Sequence, residues 1–206
     1  MIGMARYPDK YFELAIVDPP YFKGVSNKNF YGSDKSNTGV NRLCSNSDVW
    51  DSNIPNYLYF NELLRISRNQ IIWGINYYPF PEMPFGRIIW DKINDFSTFS
   101  NCEIASCSMI DSVKIYRQMW NGMLREGEKA QRIHPTQKPV KLYEWLLRNY
   151  AKQGDKILDT HLGSGSSRIA AYNGGFDFTG FELDKDYFDA AEKRFQNHIK
   201  QLRIEL

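Results

Sequence analysis

Apolar residues come along this chain in short bursts separated by polar, Gly-rich and Asn-rich stretches, and the period within each burst changes along its length. Phe12–Val17 reads Phe-Glu-Leu-Ala-Ile-Val and stops at Asp18-Pro19-Pro20-Tyr21. A short run that is apolar on both faces predicts a buried parallel strand, and two prolines end it because neither can donate to a ladder. Tyr57–Arg68 carries Leu58, Leu63, Leu64 and Ile66 at helical spacing and predicts a helix. Gln70–Ile75 and Arg87–Trp90 predict strands on either side of a Pro-rich turn from Pro79 to Pro84, and Ser112–Met119 predicts another. Val140–Tyr150 is amphipathic and is stopped by Gly154-Asp155. The clearest unit follows: strand Lys156–Asp159, a Gly-rich stretch His161–Ser166, helix Ser167–Tyr172, strand Phe178–Glu182, and a last helix Asp184–Gln201 with Asp184 as N-cap. Strands alternating with helices predict an α/β fold, a doubly wound and mostly parallel sheet with helices on both faces.

Length and composition narrow this only slightly. A chain of 206 residues suits one α/β domain, and its 42% hydrophobic and 24% charged residues are those of a globular protein. No apolar run reaches the length of a membrane span. Met1–Lys10 lacks the apolar stretch of a signal peptide, so the expected location is cytoplasmic. Cys44, Cys102 and Cys107 are odd in number and lack ligand spacing, so they read as reduced thiols, and three scattered histidines suggest no metal. A net charge of +2 neither requires nor excludes a nucleic-acid partner, because distribution matters more than the sum.

Two constellations carry chemistry. In Asp159-Thr160-His161-Leu162-Gly163-Ser164-Gly165, the two glycines allow close approach of the backbone to a ligand at the carboxyl end of a strand. Glu182 ends the next strand, where an acid can grip a ribose diol. The pair suggests an adenosine-containing cofactor without saying which, and a plain tight turn with a solvated Glu would look the same. A nicotinamide enzyme competes, but too little chain follows for the second half of a dinucleotide fold. Asp18-Pro19-Pro20-Tyr21 is more specific. The lone pair of an adenine amino group is delocalised into the ring. The Asp18 carboxylate and a backbone carbonyl held by the prolines, accepting from its two hydrogens, would return that lone pair to the nitrogen. Tyr21 would give an extruded base a face to stack on. The bland alternative is a strand-ending turn.

These motifs resemble the amino-methyltransferases of DNA, in particular the circularly permuted class in which the Asp-Pro-Pro-Tyr tetrapeptide precedes the cofactor loop, and among them short adenine-N6 methylases of phage and mobile-element type. The resemblance covers Phe12–Tyr21, Trp73–Tyr78, Arg87–Asp91 with Asn101–Ala105, His134–Pro139, Ile157–Ser166 and Phe181–Leu183. It implies a Rossmann-like domain lacking one N-terminal strand at the sheet edge, with a catalytic half over about 11–118, a short recognition loop over about 119–133 and a cofactor half over about 134–206. It implies S-adenosylmethionine as cofactor and double-stranded DNA as partner. Asp18, Pro19, Pro20 and Tyr21 would hold the target amino group and base. Asp18, Asp159, His161, Gly163, Ser164 and Gly165 would line the cofactor, Glu182 would bind its ribose, and Thr136 and Lys138 would contact its methionine carboxylate region. Thr160 and His161 depart from the commoner Pro and Phe; a packed loop histidine is the expected reading of the second, with a functional substitution as the alternative.

The basic residues Lys23, Lys28, Lys35 and Arg42 of the loop after the tetrapeptide, with Arg125, Lys129 and Arg132, are candidates for phosphate contacts, though a solvated surface would carry such charges too. A homodimer would supply contact surface that one short recognition loop lacks. Cytosine-N4 methylation, an RNA substrate, or a catalytically idle relative remain open alternatives at this stage.

Overall fold

The computed structural model describes residues 2–20, 55–78, 83–95, 100–121, 124–126, 132–134 and 136–204. Its centre is a seven-stranded sheet in the order β5-β3-β4-β2-β1-β8-β9. The strands are β1 (Phe12–Val17), β2 (Ser67–Trp73), β3 (Gly86–Asp91), β4 (Cys102–Cys107), β5 (Val113–Arg117), β8 (Lys156–Asp159) and β9 (Asp177–Gly180). Two short strands, β6 (Trp120–Asn121) and β7 (Leu124–Arg125), form a separate hairpin. The helices are α1 (Tyr57–Ile66), α2 (Val140–Tyr150), α3 (Ser166–Asn173) and α4 (Lys185–Ile204). Parallel pairing joins β1 to both β2 and β8, β8 to β9 and β3 to β5, whereas β4 runs antiparallel to β2 and β3.

The doubly buried pattern of β1 has a direct cause. Leu14 and Ile16 point into one apolar cluster with Ile71, Trp73, Ile157 and the α2 residues Leu142, Leu146 and Leu147. Ala15 and Val17 point into a second cluster with Ile72, Leu158 and the α1 residues Phe60, Leu63 and Ile66. Both faces are covered, so alternation vanishes from the sequence. Fully burying each such Leu, Ile or Phe stabilises the fold by roughly 1.5–3 kcal/mol.

Several elements differ from the sequence expectation, and β9 ends at Gly180 rather than at Glu182. The first helix ends at Ile66 because Ser67 adopts an extended conformation and its hydroxyl returns to the Leu63 carbonyl at 2.6 Å. β2 therefore starts at Ser67 rather than Gln70 and ends at Trp73. β4 has no periodic signal, since Cys-Glu-Ile-Ala-Ser-Cys mixes small and polar residues, yet it is an internal strand. Asp184 caps α4 as expected, its Oδ1 accepting from the backbone N–H of Asp186 at 2.8 Å and of Tyr187 at 3.1 Å.

The sheet has a switch point between β1 and β8. α1, which follows β1, packs on one face, and α3, which follows β8, packs on the other through Ala170 and Ala171. Registers Leu14↔Ile157 and Ala15↔Leu158 hold these strands side by side, so both carboxyl ends open on one rim. Connections that diverge to opposite faces leave a crevice there, where α/β sheets bind ligands.

Candidate functional site

Asp18 is the first residue beyond β1 on that rim. Its Oδ2 accepts from Lys138 Nζ in a short contact, while Oδ1 is buried and has no hydrogen-bond partner among the described residues. Lys138 reaches on to Glu103 Oε2 at 2.8 Å, an ion contact not aligned as a hydrogen bond, and Lys92 Nζ meets Glu103 Oε1 at 2.6 Å. Asp18, Lys138, Glu103 and Lys92 thus form a row of alternating charges drawn from the end of β1, the stretch before α2, β4, and the residue after β3. The side chains of Asp18, Lys138 and Glu103 are 13%, 2% and 18% exposed, so their interactions are weakly screened. Burial pushes the Asp18 carboxyl above the usual carboxylate range, with the Glu103 charge adding to this and Lys138 opposing it. Burial also resists ionisation of Glu103, but two lysines outweigh it and hold Glu103 at about 2. Lys138 lies 5.4 Å from the Trp73 ring centroid, which gives the ammonium an aromatic face.

The Pro19 carbonyl accepts from the Tyr78 hydroxyl at 2.8 Å. Tyr78 is buried, packs on Phe60 with ring centroids 5.0 Å apart, and so fixes the direction of that carbonyl. A carbonyl oxygen has two lone pairs, and Tyr78 uses one, leaving one for a second donor.

On the β8 side, Asp159 is buried and accepts from Ser167 Oγ at 2.6 Å and the His161 N–H at 2.9 Å. Burial nevertheless lifts its carboxyl to about 7. Gly163 and Gly165 have φ of +50° and +72°, a left-handed region that disfavours a Cβ. Glu182, two residues past β9, clamps this loop from the side. Its Oε2 accepts from the Gly163 N–H at 2.8 Å, and its Oε1 from those of Leu183 at 2.9 Å and Asp184 at 3.1 Å. Arg194 of α4 donates to the Ser164 carbonyl at 2.8 Å and to Ser166 Oγ at 2.9 Å, fixing the end of the loop. His161 packs in the loop as expected: its Nδ1 lies 3.0 Å from Thr160 Oγ1, and Tyr59 crosses its ring edge-on at 5.3 Å. Burial holds the imidazole down at about 4.

The described residues therefore gather Asp18, Pro19, Pro20, Asp159, His161, Gly163, Ser164, Gly165 and Glu182 around the β1–β8 rim. Lys138 lies between two carboxylates and is 2% exposed. Thr136 is exposed with its hydroxyl 3.2 Å from His134 Nδ1. Arg132 is exposed, its Nε donating to the His134 carbonyl at 3.0 Å, and Arg125 lies in β7. Tyr21, Lys23, Lys28, Lys35, Arg42 and Lys129 lie outside the described residues. Glu103, Lys92 and Tyr78 went unassigned in the sequence. Only the likeness of Trp73–Tyr78 and Asn101–Ala105 to a family pattern pointed near two of them. Among the described residues no three His, Cys, Asp or Glu side chains stand together as a metal site, and no helix is long and apolar enough to cross a membrane.

Comparison with known proteins shows what the chain as a whole is similar to. A family model described as DNA methylase matches residues 47–193. The Type II methyltransferase M2.DpnII of Streptococcus pneumoniae is 33% identical over 110 residues, which cover 53% of this chain and 41% of that protein. M2.LlaDCHI of Lactococcus lactis subsp. cremoris is 32% identical over 108 residues and is covered for 40% of its length, so the match spans about two fifths of these two relatives. M.HinfI of Haemophilus influenzae, another Type II methyltransferase, is 25% identical across 97% of this chain and 68% of its own length. Among solved structures, the M1.HpyAVI–SAM complex shares the fold at a TM-score of 0.53 and 22% identity, covering 90% of this chain and 89% of that one. The cytosine-N4-specific PvuII DNA methyltransferase does so at 0.56 and 13%, covering 93% and 82%. With a match across 147 consecutive positions, from 47 to 193, this chain belongs to the DNA methylase family.

Proposed function

We propose that this chain transfers the methyl group of S-adenosylmethionine to N6 of adenine in double-stranded DNA, acting on a base flipped out of the stack. One observation carries the proposal. A buried carboxylate oxygen without a partner among the described residues, Asp18 Oδ1, shares a rim with a left-handed glycine loop clamped by Glu182. These residues suit the cofactor's chemistry: the Gly163–Gly165 backbone can approach a ligand closely, and Glu182 is an acceptor for ribose hydroxyls. When bound, the cofactor supplies an electrophilic methyl group on a sulfonium.

Everything else falls to the chain. Asp18 Oδ1 and the free lone pair of the Pro19 carbonyl accept from the two amino hydrogens, drawing the lone pair onto N6 and stabilising the charge that develops there. N6 would gain the methyl group as that group's bond to the sulfonium sulfur breaks and its electron pair stays on sulfur, and N6 would shed one proton, for which Asp18 is the first acceptor. Tyr21 stacks on the base. Lys23, Lys28, Lys35, Arg42, Arg125, Lys129 and Arg132 contact phosphates. Where one copy offers too little surface, a homodimer supplies the rest, since specific DNA interfaces bury roughly 1,000–2,500 Å² of protein. An acid at position 18, rather than the Ser common in cytosine-N4 enzymes, favours adenine.

The test is incubation of purified protein with duplex DNA and isotopically labelled S-adenosylmethionine, followed by digestion and mass analysis of nucleosides. Labelled N6-methyladenine supports the proposal. N4-methylcytosine would replace the base assignment, and label in RNA alone would replace the polymer.

A further inference from the structure

Asp18 is one of two carboxylates that share Lys138, and the second has no part in the chemistry above. Glu103 sits on β4, antiparallel between β2 and β3, with its oxygens divided between Lys138 and Lys92. Two buried carboxylates with one ammonium between them would repel, and the second cation restores neutrality at the far end of the row. Among the described residues Asp18, at the near end, touches one lysine and has one oxygen without a hydrogen-bond partner. We propose that Glu103 is a positioning residue for Asp18: with Lys92 behind it, Glu103 holds Lys138 against Asp18 Oδ2 and divides its charge, so that Asp18 presents Oδ1 to the amino group as a strong acceptor. This rests on the reading of Asp18 as amino-group acceptor.

The alternating row predicts opposite effects from its two ends. Glu103→Gln keeps the shape of β4 but leaves the whole of Lys138 to Asp18, so Asp18 ionises at lower pH. Lys92→Met removes a cation, lets Glu103 lean fully on Lys138, and Asp18 ionises at higher pH. Each shift should be on the order of one pH unit for charges a few ångströms apart and partly screened. Among the described residues the other titratable groups around Asp18 are Asp159 on β8, Tyr59 on α1, Tyr78 after β2 and Tyr143 on α2, and both variants leave them in place.

The experiment is a ¹³C NMR titration of the Asp18 side-chain carboxyl in wild type, Glu103→Gln and Lys92→Met, with the pH profile of kcat for DNA methylation measured in parallel. Opposite shifts of the Asp18 titration, followed by the acidic limb of kcat, with cofactor affinity unchanged, are expected. A Glu103→Gln protein with reduced kcat and an unmoved Asp18 titration would overturn the proposal and leave Glu103 a structural residue only. So would shifts of the same sign in both variants. Because the NMR titration needs no turnover, it decides the inference even if the wild type methylates no DNA, a result that would sink the proposed function instead.

Discussion

Replacing Glu182 by Ala should weaken cofactor binding and loosen the unliganded loop at the same time, and the hydrogen bonds allow both effects to be sized. An ionised carboxylate offers about four lone-pair sites, and three of Glu182's already accept backbone N–H groups. Two ribose hydroxyls therefore find one site open and must displace or share one N–H, most readily the 3.1 Å contact to Asp184. A hydrogen bond to a charged group contributes about 1.5–3 kcal/mol. Partial competition places the net loss near the lower end, about 1.5–2 kcal/mol, or roughly a 10- to 30-fold rise in Kd. Truncation also strands the Gly163, Leu183 and Asp184 N–H groups. Water can reach this partly open loop, so we expect about 1–2 kcal/mol of lost stability and a Tm lower by roughly 2–8 °C. Titration calorimetry with S-adenosylmethionine and a urea melt of the unliganded protein measure the two separately. Unchanged affinity with lowered stability would reduce Glu182 to a loop clamp and refute the ribose assignment.

Other expectations follow from the same coordinates. Gly165→Ala should cost about 1–2 kcal/mol in a urea melt, because φ is +72° and the new Cβ would sit 3.3 Å from that of Ala191. A melt indistinguishable from wild type would mean the loop can adopt another conformation. His161 and His134, held at about 4 and about 3 against an ordinary 6.5, stay neutral in the fold while the unfolded chain protonates. Their contribution is present above pH 6.5 and lost as pH falls toward 4 and 3. Asp159, raised to about 7 from 3.8, has the opposite sign: its contribution is present below pH 3.8 and lost as pH rises through 7. His161→Phe should remove about 1–2 kcal/mol of the acid loss between pH 6.5 and 4, a discounted figure because the ring is only half-buried. An acid limb of stability identical to wild type would contradict it. Neutralising Lys23, Lys28, Lys35 and Arg42 together should weaken DNA binding and flatten its salt dependence, with cofactor affinity constant. Equal slopes across a salt series would exclude phosphate contacts there.

Local pattern made much of the fold legible. β1, α2 and β8 fall where apolar spacing puts them, and Asp184 announces α4 by its own capping chemistry. Other features depended on distant partners. Nothing around Cys102–Cys107 marks an internal strand, because its neighbours β2 and β3 supply the burial that its own small and polar residues do not advertise. Glu103 had no assigned role for the same reason: a carboxylate in a polar segment reads as solvated until Lys92 and Lys138 arrive from elsewhere in the chain. Lys138 was legible as a site residue, but a motif identifies a lysine without saying which charges it meets. Tyr78 gained its role only when the turn after β2 brought its hydroxyl to the Pro19 carbonyl.

The central claim is that Asp18 activates an amino nitrogen for direct methylation. Single-turnover methyl transfer to duplex DNA by wild type and Asp18→Ala, with S-adenosylmethionine affinity measured on both, tests it most directly. Loss of one positioned acceptor should raise the barrier by about 3 kcal/mol or more, slowing transfer at least roughly 100-fold while cofactor Kd changes by only a few-fold. Transfer at near wild-type rate in Asp18→Ala would contradict the account.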